Sequence, residues 1–317
     1  MILEIQHETC FDYTEPVKES VTEVRMQPVS DDHQTCQSFH LKVNPGTQQF
    51  WYDDGFGNSV HHFDILGAHS QVRILAASVV ETHPRRHDLD ASKASWPLNL
   101  DSATLEVLDF LRFRGPVRGT PRLDPLVEEL RPQSGAALGP FVFAVSHHIH
   151  THYEYARDVT LVNSPIDHLL EKRKGVCQDF SHLMVALLRS FGVPARYVSG
   201  YIHRANQESQ SHAWCEAWLP DLGWVGLDPT NDCIVHDHFV KVAVGRDFTD
   251  VPPNKGVYRG RGEEAISVRV ETRALERMPS LSWQQQLPAL NIPLTAVAGR
   301  KGLGPGHPDE ESQQQQQ

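Results

Sequence analysis

Between residues 178 and 191 the apolar side chains Phe180, Leu183, Met184, Leu187, Leu188 and Phe191 recur at spacings of three and four. That period puts one face of an α-helix against a core. Gly192 and Pro194 follow and stop it. Three strand-like runs come next, over 196–202, 212–219 and 224–228, the last two joined by the turn Pro220-Asp221-Leu222-Gly223. A helix packed on an antiparallel sheet is an α+β arrangement, and the rest of the chain is read around it.

Ahead of this core, residues 1–82 read as an antiparallel β-rich domain. Runs such as 39–43 and 72–76 are separated by Asn44-Pro45-Gly46, Asp53-Asp54-Gly55 and Gly57-Asn58. Residues 83–150 open on His83-Pro84-Arg85-Arg86-His87 and read as a linker with helical pieces over 103–112 and 141–150. The catalytic core and the segment after it are expected over 151–272. A tail over 273–317, Gly/Pro-rich from Gly299 and ending in Gln313 to Gln317, is expected to be largely disordered.

Charge and cysteine usage limit the function classes. A formal charge of −11 over 317 residues argues against nucleic acid and an anionic membrane surface as partners, since both need a basic face. No stretch approaches the ~20 apolar residues that cross a bilayer. Five cysteines cannot all pair, and the alternating start Met1-Ile2-Leu3-Glu4-Ile5 lacks the pattern of a leader. Cytoplasmic residence is the expectation.

Three residues carry the chemistry. Cys177 stands where a loop enters the helix, and the unsatisfied N–H groups and positive dipole end there favour a thiolate. The same N–H groups can stabilise an oxyanion. His212 opens one strand and can serve as base, while Asp228 closes the next strand and can orient the imidazole. For His212 and Asp228 to share a sheet face, paired residues must sum to an even number, as when Leu219 faces Gly223. Leu219 opposite Trp224 would separate them.

The stretches Arg173-Lys174-Gly175-Val176-Cys177-Gln178-Asp179-Phe180, Gly192-Val193-Pro194-Ala195-Arg196-Tyr197, Ser211-His212-Ala213-Trp214 and Gly223-Trp224-Val225-Gly226-Leu227-Asp228-Pro229-Thr230-Asn231 resemble the bacterial transglutaminase-like family, a branch of the papain-like cysteine enzymes. Asp54-Gly55-Phe56-Gly57-Asn58 is similar to that family's β-rich N-terminal domain, and the resemblance covers roughly residues 1–272. It implies the catalytic residues Cys177, His212 and Asp228, with Tyr155 (followed by Thr160) assisting the Cys177 N–H at the oxyanion. No cofactor or metal is implied. It also implies a peptide or protein substrate and the company of ATP-dependent peptide-ligase systems. The expected activity is acyl transfer on amide or peptide bonds through a Cys177 thioester, with hydrolysis by a peptidase or amidase favoured over cross-linking. The alternatives are a protein-glutamine transglutaminase, or a non-catalytic scaffold that keeps a papain-like cleft.

Several residues remain. Asp179 would oppose a thiolate unless paired, and Arg196 is the candidate partner. Gly200 and Tyr201 are expected to shape a substrate-admitting loop. His147, His148, His150 and His152, and separately His236 and His238, cluster without an H-E-x-x-H motif, and Cys215 and Cys233 lack C-x-x-C spacing. None is assigned a metal. Trp214, Trp218 and Trp224 are candidates for the cleft wall or for packing. Arg259-Gly260-Arg261-Gly262 reads as a solvated turn.

Overall fold

The computed structural model describes residues 1–83, 88–101, 103–157, 164–205 and 211–279. Strands β1 (Ile2–Val24) and β4 (Ser59–Thr82) pair antiparallel over most of their length and form the spine of a six-stranded sheet. Their register shifts between Asp12 and Val17 and again before Glu19. Near that point Gly67 takes φ +103°, which a side chain would strain. The irregularity divides the spine into two halves. In one, β2 (Gln34–Asn44) lies on β4 and β13 (Glu264–Leu275) on β1. In the other, β3 (Gln49–Asp53) lies on β4 and β12 (Asn254–Arg259) on β1. Phe11, Tyr13, Val17, Phe63, Val72 and Ile74 pack together as the core of this sheet.

Strands β12 and β13, in the stretch the sequence assigns to the segment following the catalytic core and to the first residues of the tail, return to the N-terminal sheet. A 23-residue strand paired only to β4 would present a long open edge, and the later strands close it. Strand structure continues to Leu275.

The second half is the α+β core. Its sheet runs β10 (Cys233–Ile234), β9 (Gly223–Asp228), β8 (Ser211–Leu219), β7 (Ala195–Ile202), β11 (Phe239–Gly245), with all neighbours antiparallel. Helix α5 (Cys177–Ser190) is buried from Cys177 to Arg189. Its apolar residues share one core with Cys215, Ala217, Leu219, Val225 and Leu227 of the sheet. Val142, Val145 and Ile149 of α3 (Leu138–His152) and Leu169 of α4 (Ile166–Lys172) complete that core. A helix buried on every side needs partners on more than one side, and α3 supplies one of them. The expected boundary at 150–151 therefore falls inside α3. The shorter α1 (Leu105–Asp109) and α2 (Asp124–Leu130) lie in the segment read as a linker. That segment is also packed on the core: Trp96 Nε1–H donates to the Phe191 carbonyl at 2.8 Å. Among the described residues no helix is long and apolar enough to cross a membrane.

Two carboxamides join the halves. Strand β11 is the outer strand of its sheet, and its open side meets the N-terminal domain. Asn58 Nδ2 donates to the Val244 carbonyl and Val244 N–H donates to Asn58 Oδ1, both at 2.8 Å. Gln34 makes the same reciprocal pair with Lys241, again at 2.8 Å. Each amide replaces the strand that β11 lacks on that side. Asn58→Ala is expected to cost about 2–3 kcal/mol, because it leaves two buried backbone groups unpaired. Urea unfolding measures this, and a loss under about 0.5 kcal/mol would contradict it.

Candidate active site

The nucleophile position is built by the chain's entry into α5. Val176 is extended (φ −114°, ψ 179°) and Cys177 is the first helical residue. As such its N–H has no intrahelical acceptor. The Val176 N–H donates to Asp179 Oδ2 at 2.9 Å, a back-bond from the third residue of the helix that also places a carboxylate at the favourable dipole end. A Cβ on Gly175 would lie 2.7 Å from that same oxygen, so the turn needs glycine here. Arg196, the candidate partner of Asp179, is engaged by another carboxylate. It meets Glu216 at 2.6 Å and lies 4.2 Å over the Trp224 ring, while Lys241 takes the other oxygen of Glu216 at 2.7 Å. Glu216 is almost fully buried and stands directly opposite Arg196 in the β7–β8 ladder, so the strand register brings the ion pair together.

Strands β8 and β9 bring the other two residues in. Leu219 faces Gly223 and Cys215 faces Leu227. The pair sum is even, so His212 and Asp228 share a face. Gly223 takes φ +73° at the end of the three-residue turn, the left-handed position such hairpins reserve for glycine. His212 Nε2–H donates to Asp228 Oδ2 at 2.7 Å, and Cys177 lies close enough to raise the imidazole through its charge and hydrogen bonding. With Nε2 committed to Asp228, Nδ1 is the nitrogen left for the thiol. The three residues predicted from sequence therefore converge, and all three are buried.

Asp228 is fully buried and is more heavily bonded than the sequence suggested. Asn231 Nδ2 donates to Oδ2, and the Thr230 N–H donates to Oδ1 at 2.9 Å. The role of Asn231 was missed, although its position three residues beyond Asp228 is the one from which an Asx-type turn folds back. His147 and His150 of α3 brace the same loop, His147 against Asp232 at 2.8 Å and His150 on the Thr230 carbonyl at 3.1 Å. The other two of the four clustered histidines pair with each other, His152 Nδ1 bonding the His148 carbonyl at 2.9 Å and the two rings stacking at 3.9 Å. Trp214 is buried behind the base, its ring 6.2 Å from that of His212.

Burial alone would push the His212 imidazole down. The Asp228 charge and the hydrogen bonds to Asp228 and Cys177 outweigh it and raise the group to about 10. Asp228 answers in the opposite sense: burial would raise it, but His212, Asn231 and the Thr230 N–H hold it below the usual carboxylate range. Because the folded value of His212 lies above the ordinary 6.5, its interaction stabilises the fold fully below about pH 6.5 and is lost as pH climbs through about 10. Turnover should keep its protonated imidazole across neutrality and fall near pH 10. Asp228→Asn removes the charge that raises His212, so the alkaline fall should move toward neutral pH. A pH–rate profile with an unmoved alkaline limb would contradict this.

Tyr155 is carried to the rim by a short parallel pair, β5 (Glu154–Tyr155) with β6 (Lys174–Gly175), in which it faces Gly175 two residues ahead of Cys177. Burial and then the Cys177 charge push its phenol up, against hydrogen bonding and charge from Arg157. The phenol therefore stays protonated, and its place opposite Gly175 makes it the candidate second donor to an oxyanion with the Cys177 N–H. Thr160 lies outside the described residues. Gly200 and Tyr201 do not form a loop: both sit within β7. Gly200 faces His212 in the ladder, where a Cβ would meet the Val240 carbonyl at 2.2 Å. Tyr201 is buried, its hydroxyl 2.8 Å from His7 Nδ1 of β1. Cys215 is buried in the α5-facing core, and burial pushes its thiol up.

A papain-like core with a thiol, an imidazole and a carboxylate aligned in that order defines a class of cysteine enzymes. Residues 126–229 match the model of the transglutaminase-like superfamily, and residues 3–81 that of the bacterial transglutaminase-like N-terminal region. An uncharacterized protein of Mycobacterium leprae is 33% identical over 282 residues, covering 86% of this chain and 99% of its own. A protein-glutamine gamma-glutamyltransferase of Pseudomonas aeruginosa is 31% identical over 150 residues, 43% of this chain and 22% of its own. A solved structure from Cytophaga hutchinsonii, provisionally described as a cysteine protease, shares the fold with a TM-score of 0.73 at 20% identity, over 88% of this chain and 93% of its own. The chain belongs to the transglutaminase-like superfamily and carries its bacterial N-terminal region.

Proposed function

We propose that the protein cleaves amide or peptide bonds by acyl transfer to Cys177, and that water is the usual acceptor. The observation that carries this reading is the convergence of Cys177 and Asp228 on the His212 imidazole, with 2.7 Å between His212 and Asp228. In it, His212 takes the thiol proton and holds it as imidazolium. The thiolate attacks the carbonyl carbon, and the oxyanion is received by the Cys177 N–H and the Tyr155 hydroxyl. His212 then returns the proton to the departing amine, leaving a thioester. In the second half His212 removes a proton from the acceptor, which attacks the thioester and frees the thiolate. Water gives hydrolysis; a primary amine gives a cross-link.

Support for water comes from the rim. Tyr155, which faces Gly175 two residues ahead of Cys177, is 42% exposed, so this edge of the site borders solvent. Similarity to a gamma-glutamyltransferase favours the second reading, an amine acceptor. Incubation with a peptide library followed by mass spectrometry of the Cys177-containing fragment, with and without an added primary amine, separates them. An acyl adduct that turns over to acid in both conditions supports hydrolysis, and one that turns over only when the amine is present supports cross-linking. Substrate loss with no adduct at Cys177, even after acid quenching, would contradict the thioester.

A further inference from the structure

We propose that His236, Asp237 and His238 form a binding site for a divalent transition-metal ion of the zinc type. The three residues precede β11, and one ligand atom from each lies within 4.8 Å of the other two. His236 Nδ1 and Asp237 Oδ1 are 3.6 Å apart. Two ligands sharing a tetrahedral zinc at roughly 2.0–2.2 Å stand about 3.3–3.5 Å from each other, close to the spacing of this pair. An ion would take over the Nδ1 lone pair that now accepts a long 3.4 Å bond from the His238 N–H. His238 is held as a ligand would be. Its Nδ1–H donates to the His203 carbonyl at 3.3 Å, which leaves the Nε2 lone pair for an ion, the carbonyl serving as the outer-shell partner that metal-binding imidazoles commonly have.

The loop is also braced from both sides. Thr82 Oγ1 donates to the Asp237 carbonyl at 2.6 Å, and the Phe239 N–H donates to the His236 carbonyl at 3.1 Å. A third imidazole is close: the ring of His203 lies 5.9 Å from that of His238, and its Nδ1 is engaged by Thr272 Oγ1 at 3.0 Å. Two or three imidazoles with one carboxylate suit zinc, copper(II) or nickel and disfavour calcium and magnesium, which prefer all-oxygen shells. Phe239 packs its ring 5.0 Å from His236 and 5.9 Å from His212, so an ion here would sit one aromatic residue away from the catalytic base.

The test must exclude zinc bound by Cys177 and His212, so it uses the full chain carrying Cys177→Ala, stripped with chelator and titrated with Zn²⁺ against a zinc indicator. One equivalent is expected to bind with Kd below about 50 µM, and millimolar Ca²⁺ or Mg²⁺ should not displace it. Adding His236→Ala with His238→Ala should weaken that equivalent at least about 30-fold, and Asp237→Asn, which keeps both imidazoles, about 10-fold. His236 is exposed and His238 partly so, so the metal-free melting temperature should be unchanged by their loss, while the zinc-induced rise in it disappears. Binding weaker than about 50 µM, or binding that the paired histidine replacement leaves intact, overturns the proposal. Because the readout is metal affinity in a chain without its nucleophile, neither result depends on the acyl-transfer reading.

Discussion

Turnover should fall at least about 10⁴-fold, to background, when Cys177 is replaced by Ala, while the melting temperature moves by no more than about 3 °C. The thiol is the atom that bonds to the acyl group, and no other cysteine can stand in for it. Burial pushes Cys10 and Cys233 up to about 12 and Cys36 to about 11, and raises Cys215 as well, so all four remain protonated at neutral pH. The fold should tolerate the change because the side chain lost is small. Cys177 contributes one sulfur to a cluster that includes Tyr197, Ala213 and Val240, and its removal costs about 1 kcal/mol. Steady-state kinetics and thermal melts on the same preparation measure both. Residual turnover above about 1% of the parent would mean that the reaction does not pass through this sulfur.

Asp228→Ala is expected to act on stability as well as on rate. Its carboxylate is fully buried and accepts from His212, Asn231 and the Thr230 N–H. Removing it leaves a buried imidazolium without its counter-charge and strands the donors of the 230–231 loop. Loss of one partner of a buried ion pair typically costs about 3–5 kcal/mol. Turnover should fall by about 10²–10³-fold, less than for His212→Ala, since the imidazole loses its orientation but remains present. Urea unfolding and kcat/KM together test this. Equal or greater loss of turnover from Asp228→Ala than from His212→Ala, or an unchanged unfolding midpoint, would contradict the division of roles.

The three candidate residues were legible because each stands at the end of an element whose periodicity is local. The apolar spacing of 178–191 fixes the helix, and its first residue is Cys177; the strand ends fix His212 and Asp228. Even the pairing parity could be posed as a condition, and the Leu219–Gly223 register meets it. Partners across long sequence separations left no such trace. That β12 and β13 close the edge of β1, more than 200 residues earlier, follows from an unpaired edge and not from their own pattern. Gln34 and Asn58 cap β11 with side-chain amides, a role without periodicity. Arg196 pairs with Glu216 because the β7–β8 ladder sets the two directly opposite each other, a register that a sequence position near a motif does not report. The sequence around Gly200 suggests a loop, whereas the reason for a glycine within β7 is the approach of the Trp214 ring and a neighbouring carbonyl.

One labelling experiment goes to the root of this account, which is that an imidazolium held by a buried carboxylate makes a single sulfur in the chain a nucleophile. Exposure to iodoacetamide at pH 7, with peptide mapping over time, should modify Cys177 at least about 100-fold faster than Cys10, Cys36, Cys215 or Cys233, and His212→Ala should abolish the difference. Uniformly slow labelling of all five, or rapid labelling of Cys177 that survives loss of His212, would show that the convergence does not activate the thiol.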